Sequence, residues 1–416
     1  MTATTVATLE RRLGLGDAVF IGLGSMIGAG VFAAYAPAAR AAGSGLLLGL
    51  ALAAVVAYCN ATSSAQLAAA YPWAGGTYLY GREVLGEWWG YLAGWGFLVG
   101  KTASCAAMAL TFAAYVAPEG WQRPVAAAVV VVLALVNCAG VTRTALLTRV
   151  LVSLVLVALV VAAIACLRGG TSSGLSGWAS PRNGVYGVLQ SAGLLFFAFA
   201  GYARIATLGE EVREPARVIP RAIVAALAGA VVVYAVVGVA VLSVLGASGT
   251  AASTAPLADA ARVVAAPWVV GVVRVGAALA SAGALLALVA GLGRTGLAMA
   301  REGDLPRRLD AVHPRFRVPH RAELSVAAVV VVLVLTADLR GAIGFSSFGV
   351  LLYYFVANVS AYAQGSGVRR FPRWLQVLGA AGCLTLVATL PWESVVTGLV
   401  VLAVGVALRA GRLALR

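Results

Sequence analysis

The chain is short of charge, and of almost every side chain that can gain or lose a proton. Its 416 residues hold fifteen acids, two histidines and one lysine; the other twenty-nine basic residues are arginine. Charged residues make up 11% of the chain, against about 25% in soluble domains. That is too little to solvate the surface of a soluble protein of this size. His313 and His320 share one polar stretch, which excludes an intramembrane proton relay or metal centre built on histidine. No acid falls deep within an apolar run, so the nucleophile–base constellation of a membrane-embedded enzyme is missing, and no cofactor is implied. The five cysteines, Cys59, Cys105, Cys138, Cys166 and Cys383, have neither paired nor metal-ligand spacing, and read as small packing residues. A sensor is expected to add a soluble output domain, and only a short basic tail follows the last apolar run. Nor is a cleavable leader expected, because Glu10, Arg11 and Arg12 lead straight into the first run.

What is present is apolar. Hydrophobic residues make up 62% of the chain, in runs that reach the roughly 20 residues needed to cross a bilayer. They predict an all-α integral membrane protein with twelve spans, at 17–37, 44–70, 88–117, 122–141, 145–167, 184–209, 220–246, 268–299, 322–338, 341–363, 374–390 and 393–409. The net charge of +15 would suit nucleic acid, but its distribution has another cause. With the N-terminus in the cytoplasm, twenty-one arginines fall on the cytoplasmic side, seven fall outside, and Arg204 lies within span six. This is the positive-inside bias of a cell-membrane protein with both termini cytoplasmic, and no nucleic-acid partner is required. The Gly- and Ser-rich segment 168–184 is expected to be a loose outer loop. Segment 71–87 combines turn chemistry at Pro72, Gly75 and Gly76 with the aromatics of a membrane interface.

The single lysine, Lys101, lies within thirty-one residues, Trp88 to Pro118, that carry no other charge. At about 1.5 Å per helical residue it sits roughly 20 Å or more from Glu87 and Glu119. Its stem reaches about 6 Å, too short to bring the ammonium to water. An ionisable group at that depth marks a functional site. Burial penalises an ammonium, so lysine can release its proton there, which arginine cannot do.

Two spans are interrupted. Span one contains GLGSMIGAGVF, Gly22 to Phe32, and span six contains FFAFAGYARIATLGEE, Phe196 to Glu211, with Gly201 near its middle. Glycine weakens a helix interior by up to about 1 kcal/mol relative to alanine. Unpaired backbone at membrane depth persists only where it lines a protein cavity. Breaks at matching places in spans 1–5 and 6–10 point to an inverted repeat, about 17–167 and 184–363, with additional helices at 374–409 and a binding site at the midplane.

These segments resemble the amino acid–polyamine–organocation (APC) superfamily of transporters, which share the leucine-transporter fold. Four blocks carry the resemblance: GLGSMIGAGVF (22–32), YPWAGGTYLYG (71–81), EEVREPARVIPRAI (210–223) and GRTGLAMAREGDLPRRLDAVHPRFRVPHRAEL (293–324). It implies a secondary transporter of small neutral amino acids working by alternating access. Backbone N–H groups of Ser25, Met26, Ile27, Gly28, Ala29 and Gly30 would hold the substrate carboxylate. Carbonyls of Phe197, Ala198 and Ala200 would hold its amine, and Tyr202 would serve as an aromatic gate. A bulky residue at Gly28 is expected to block the site while leaving folding intact. The family often places a lysine in helix 5 in place of sodium; here Val155 falls near that register. Lys101 in helix 3 is the candidate for a related task, proton coupling without sodium. Thr102 and Ser281 are possible polar additions to the lining. An exchanger, an exporter, or a carrier of another small amine fits the same residues. Arg204 is expected to be structural, reaching toward Glu210 and Glu211.

Overall fold

The computed structural model describes residues 12–71, 75–140, 145–176, 181–209, 211–264 and 266–414. They form helices, with no strand among the described residues beyond one isolated backbone bridge between Leu13 and Val212. The first span is in three pieces: α1 (Leu15–Met26), α2 (Gly30–Ala33) and α3 (Tyr35–Ala42). It was expected to stop near residue 37. Pro37 instead occupies the first turn of α3, where its missing N–H costs no helical bond, so the helix continues to Ala42. Next come α4 (Leu46–Ala70), α5 (Gly76–Leu85), α6 (Glu87–Val116), α7 (Gln122–Cys138) and α8 (Ala145–Gly169). The sixth span is α9 (Gly184–Phe199) and α10 (Ala203–Ala206), separated by a turn. The rest are α11 (Pro215–Ala252), α12 (Pro256–Val264), α13 (Pro267–Arg301), α14 (His320–Thr336), α15 (Leu339–Ala363), α16 (Arg373–Thr389) and α17 (Trp392–Ala414).

Among the described residues eight stretches are long and apolar enough to cross a membrane, and α7, α9 and α16 are shorter apolar helices. With the seventeen-residue α14 they account for the twelve expected spans. Helix boundaries follow local chemistry. The Asp338 carboxylate caps α15 by accepting from the Gly341 N–H at 2.9 Å, and Pro267 opens α13. Gly246 (φ 64°) kinks α11 where span seven was expected to end. The long α6 packs on α13 and α15. It meets α15 at small residues, and a Cβ on Gly349 would lie 2.5 Å from the Gly96 carbonyl oxygen.

Two segments differ from expectation. The stretch after α8 is tied down rather than loose: Thr171 N–H donates to Ser243 O (2.9 Å), Arg182 N–H to Ala42 O (3.0 Å) and the Asn183 amide to Ala41 O (3.1 Å). Residues 177–180 lie outside the described residues. Within 71–87, residues from Gly76 form the helix α5; Pro72 lies outside the described residues.

At the arginine-rich end a buried ion cluster joins four elements. Asp304, just beyond α13, accepts from the Tyr78 hydroxyl of α5 (2.8 Å), pairs with Arg82 (3.2 Å) and bonds Arg409 of α17. Arg409 also reaches Glu87 at the start of α6 (3.2 Å) and lies over the rings of Trp88 and Tyr91 at 4.9 and 4.8 Å. Burial pushes the Asp304 carboxyl up from its ordinary range, against the downward pull of the Tyr78 hydrogen bond and of Arg409 and Arg82. Removing a buried partner costs about 3 kcal/mol or more. Arg409→Ala should therefore lower the melting temperature in detergent. A raised carboxyl is least costly to bury while protonated, so its contribution is present at low pH and lost as pH rises through its folded value. The deficit of the variant should grow between pH 5 and pH 8; an equal deficit at both would contradict this account.

Candidate functional site

α1 is regular to Met26 and then stops: Ile27 has φ −77° and ψ 44°, and helical geometry resumes at Gly30. α9 stops at Ala200 (ψ 4°) and α10 begins at Ala203. The two breaks lie against each other. Gly201 packs on the backbone of Ser25 and Met26, and a Cβ there would collide with the Ser25 carbonyl oxygen. A Cβ on Gly30 would lie 2.6 Å from the Ala198 Cα. Both positions need glycine because of close backbone approach. Gly28 faces α13, where a Cβ would stand 2.8 Å from the Ala284 Cβ.

Side chains from three other helices close the crossing. Lys101 of α6 is buried, 7% exposed, and its Nζ donates to Ala200 O at 3.1 Å. No carboxylate pairs with it among the described residues. The Tyr354 hydroxyl of α15 donates to the same carbonyl at 3.3 Å. On α11 the Tyr234 hydroxyl lies 2.6 Å from Met26 O and 2.8 Å from Ala198 O, and shares its proton between the two breaks. It is fixed in turn by Tyr35, whose hydroxyl donates to Tyr234 O at 2.7 Å. Tyr202 is fully buried and stacks on Tyr354, with ring centroids 4.9 Å apart.

Of the expected residues, Ser25, Met26, Gly30, Ala198, Ala200, Tyr202 and Lys101 are joined by these contacts, with a narrower division of tasks. Ser25 and Met26 are inside α1, and the Ile27 N–H donates to Leu23 O at 2.7 Å. The N–H groups of Gly28, Ala29 and Gly30 have no backbone acceptor among the described residues. Those three are the donors left for an anion at the start of a half-helix. The Ser25 hydroxyl turns back to Ile21 O (2.9 Å) and that of Thr102 to Leu98 O (2.7 Å), so both serve their own helices. Ser281 is different: its hydroxyl is buried without a partner among the described residues, on α13 next to Ala280. Two of the three expected amine acceptors, the Ala198 and Ala200 carbonyls, already accept from side chains of the protein. Arg204 donates to Thr207 Oγ1 at 3.4 Å; Glu210, one of its expected partners, lies outside the described residues. The sequence reading missed Tyr234 and Tyr354. Their signal was a hydroxyl on a helix turn of valines and alanines (VVVYAVV) and in the run LLYYFV, positions where a buried hydroxyl must find an acceptor.

A family model described as amino acid permease matches residues 13–406. The chain belongs to the amino acid permease family. An uncharacterized transporter of Mycobacterium tuberculosis is 61% identical to this permease over 399 residues, covering 96% of this chain and 90% of its own length. The branched-chain amino acid permease of Bacillus subtilis is 25% identical, with 96% and 92% covered. Human cationic amino acid transporter 4 is 29% identical over 86% of this chain and 60% of its own. The permease is thus a membrane transporter of the APC superfamily and not an enzyme.

The contact at Gly28 corrects one expectation. With Ala284 so near, any side chain there must displace α13, so a leucine disturbs the fold as well as the site. Gly28→Ala should cost about 1–3 kcal/mol through overpacking, read as a lower melting temperature, and Ala284→Gly added to it should recover most of the loss. A single variant as stable as the parent would show that α13 does not press on the break.

Proposed function

We propose that this permease carries small neutral amino acids across the cell membrane by alternating access, coupled to protons and independent of sodium. The observation that carries the reading is the Lys101 ammonium on the carbonyl of the sixth-span break, 3.1 Å from Ala200 O, together with the N–H groups of Gly28, Ala29 and Gly30 in the first-span break, which have no backbone acceptor among the described residues. The free amides suit a substrate carboxylate. The Ala198 and Ala200 carbonyls suit its amine once Lys101 or the tyrosines give way; Phe197 O completes that set, and Tyr202 closes the site by moving off Tyr354. The unpartnered Ser281 hydroxyl is the polar addition that the geometry favours over Thr102.

Selectivity follows from what surrounds these groups. Nearest a Cβ at Gly28 lie the Ala284 Cβ and the Met108 Cε, both apolar, and the Ala280 carbonyl oxygen. A cationic side chain would need an anion at depth, and no carboxylate bonds to the groups of the crossing among the described residues. A relative named for branched-chain amino acids is in keeping with that choice, while relatives named for cationic ones are of similar identity, so the choice rests on the missing anion. In this reading the two inverted repeats span about 17–167 and 184–363, and the arginine asymmetry puts both termini in the cytoplasm.

Proteoliposomes and a panel of the twenty amino acids test substrate and ion together. Small neutral amino acids should compete best and arginine or lysine hardly at all. Replacing sodium by choline at fixed pH should leave uptake unchanged, while collapsing the proton gradient should remove accumulation. Preferred uptake of cationic amino acids, or a several-fold loss in choline, would overturn the assignment.

A further inference from the structure

Two surface cavities outside the helix crossing meet at one residue. The first, about 540 Å³, lies at the arginine-rich end between the 306–309 turn and the start of α14, with Arg308 and Arg321 on its walls. The second, about 330 Å³, is a groove between α7 and α14 lined by apolar residues, among them Val131, Leu135, Ala328 and Val331. Leu324 belongs to both and is 44% exposed. From that shared residue the groove runs along two neighbouring helices into the apolar span, while the other cavity stays at the charged end.

The chemistry of the two halves differs sharply. No acid lines the first cavity, and neither Arg308 nor Arg321 makes an ion pair or side-chain hydrogen bond among the described residues. Their neighbour Arg301, by contrast, is neutralised by Asp310 at 2.8 Å. Two free guanidiniums beside one cavity form the bidentate donor set that phosphate oxygens fit. The groove has no polar lining side chain at all, and suits a hydrocarbon chain. An anionic head continuous with an apolar tail is the one ligand that satisfies both halves.

We propose that this composite cleft binds an anionic phospholipid, its phosphate headgroup between Arg308 and Arg321 and one acyl chain along α7 and α14. The site is separate from the helix crossing, so it stands or falls independently of the transport reading. It would brace the end of α14 against the 306–309 turn, which follows Asp304 of the buried ion cluster.

The test is native mass spectrometry of the delipidated full-length protein, titrated with phosphatidylglycerol or with phosphatidylcholine of the same acyl chains. Phosphatidylglycerol should be retained preferentially. The double variant Arg308→Ala, Arg321→Ala should weaken it about thirtyfold, at roughly tenfold or less per arginine near a membrane surface, with phosphatidylcholine unaffected. Both arginines are exposed and make no ion pair among the described residues, so the fold does not depend on them. Ala328→Trp, which fills the groove from an exposed position, should weaken phosphatidylglycerol with the arginines intact. Unchanged retention in the double variant overturns the proposal. So does displacement by inorganic phosphate together with an unaffected Ala328→Trp variant, which would identify a free-anion site instead.

Discussion

A membrane interior offers no water to an unpaired peptide group, and this fold turns on how it deals with two interrupted helices under that constraint. Each break exposes carbonyls and N–H groups that a continuous helix would have used. The breaks meet each other through Gly201 and Gly30, and side chains from α6, α11 and α15 supply the remaining donors. Tyr234 spans both breaks with one hydroxyl, while Lys101 and Tyr354 share the Ala200 carbonyl. The N–H groups of Gly28, Ala29 and Gly30 stay free of backbone partners among the described residues. In the proposed function that unmet hydrogen bonding is what an amino acid head would bind.

The same scarcity of charge that makes the chain a membrane protein concentrates meaning in the few charges it keeps. At the arginine-rich end, Arg82, Arg409, Glu87 and Asp304 are tied into one cluster that joins α5, α6, α17 and the end of α13. Such a cluster is costly to desolvate and costlier to break, so it holds those elements in one arrangement. At the crossing a single ammonium rests on a carbonyl dipole with no counter-charge among the described residues. The first arrangement favours a fixed assembly; in the proposed function the second is a charge whose loss or movement would free a carbonyl for a substrate amine.

Much of this was legible in the residues. Long apolar runs fixed the number of spans, clustered glycines located the break in span one, and Gly201 located the one in span six. Lys101 stood out because nothing near it in the chain was charged. What escaped was three-dimensional partnership. The Ile27 N–H looked free until α1 proved regular enough for it to bond Leu23. Tyr234 lies thirty-six residues from Ala198 and 208 from Met26, a distance along the chain that no local pattern bridges. Asp304 reads as a loop acid, and the partners that bury it, Tyr78, Arg82 and Arg409, come from α5 and α17. Gly28 looked like open space for a ligand, whereas α13 already presses close.

The central claim is that Lys101 releases and rebinds the coupled proton. Substituting Lys101 by arginine and, separately, by alanine, and measuring pH-driven accumulation beside gradient-free exchange in proteoliposomes, addresses it most directly. Arginine keeps a charge but cannot release its proton, and alanine keeps neither. The account predicts that both variants lose concentrative uptake, with exchange surviving in at least one. Full pH-dependent accumulation by the arginine variant would contradict it.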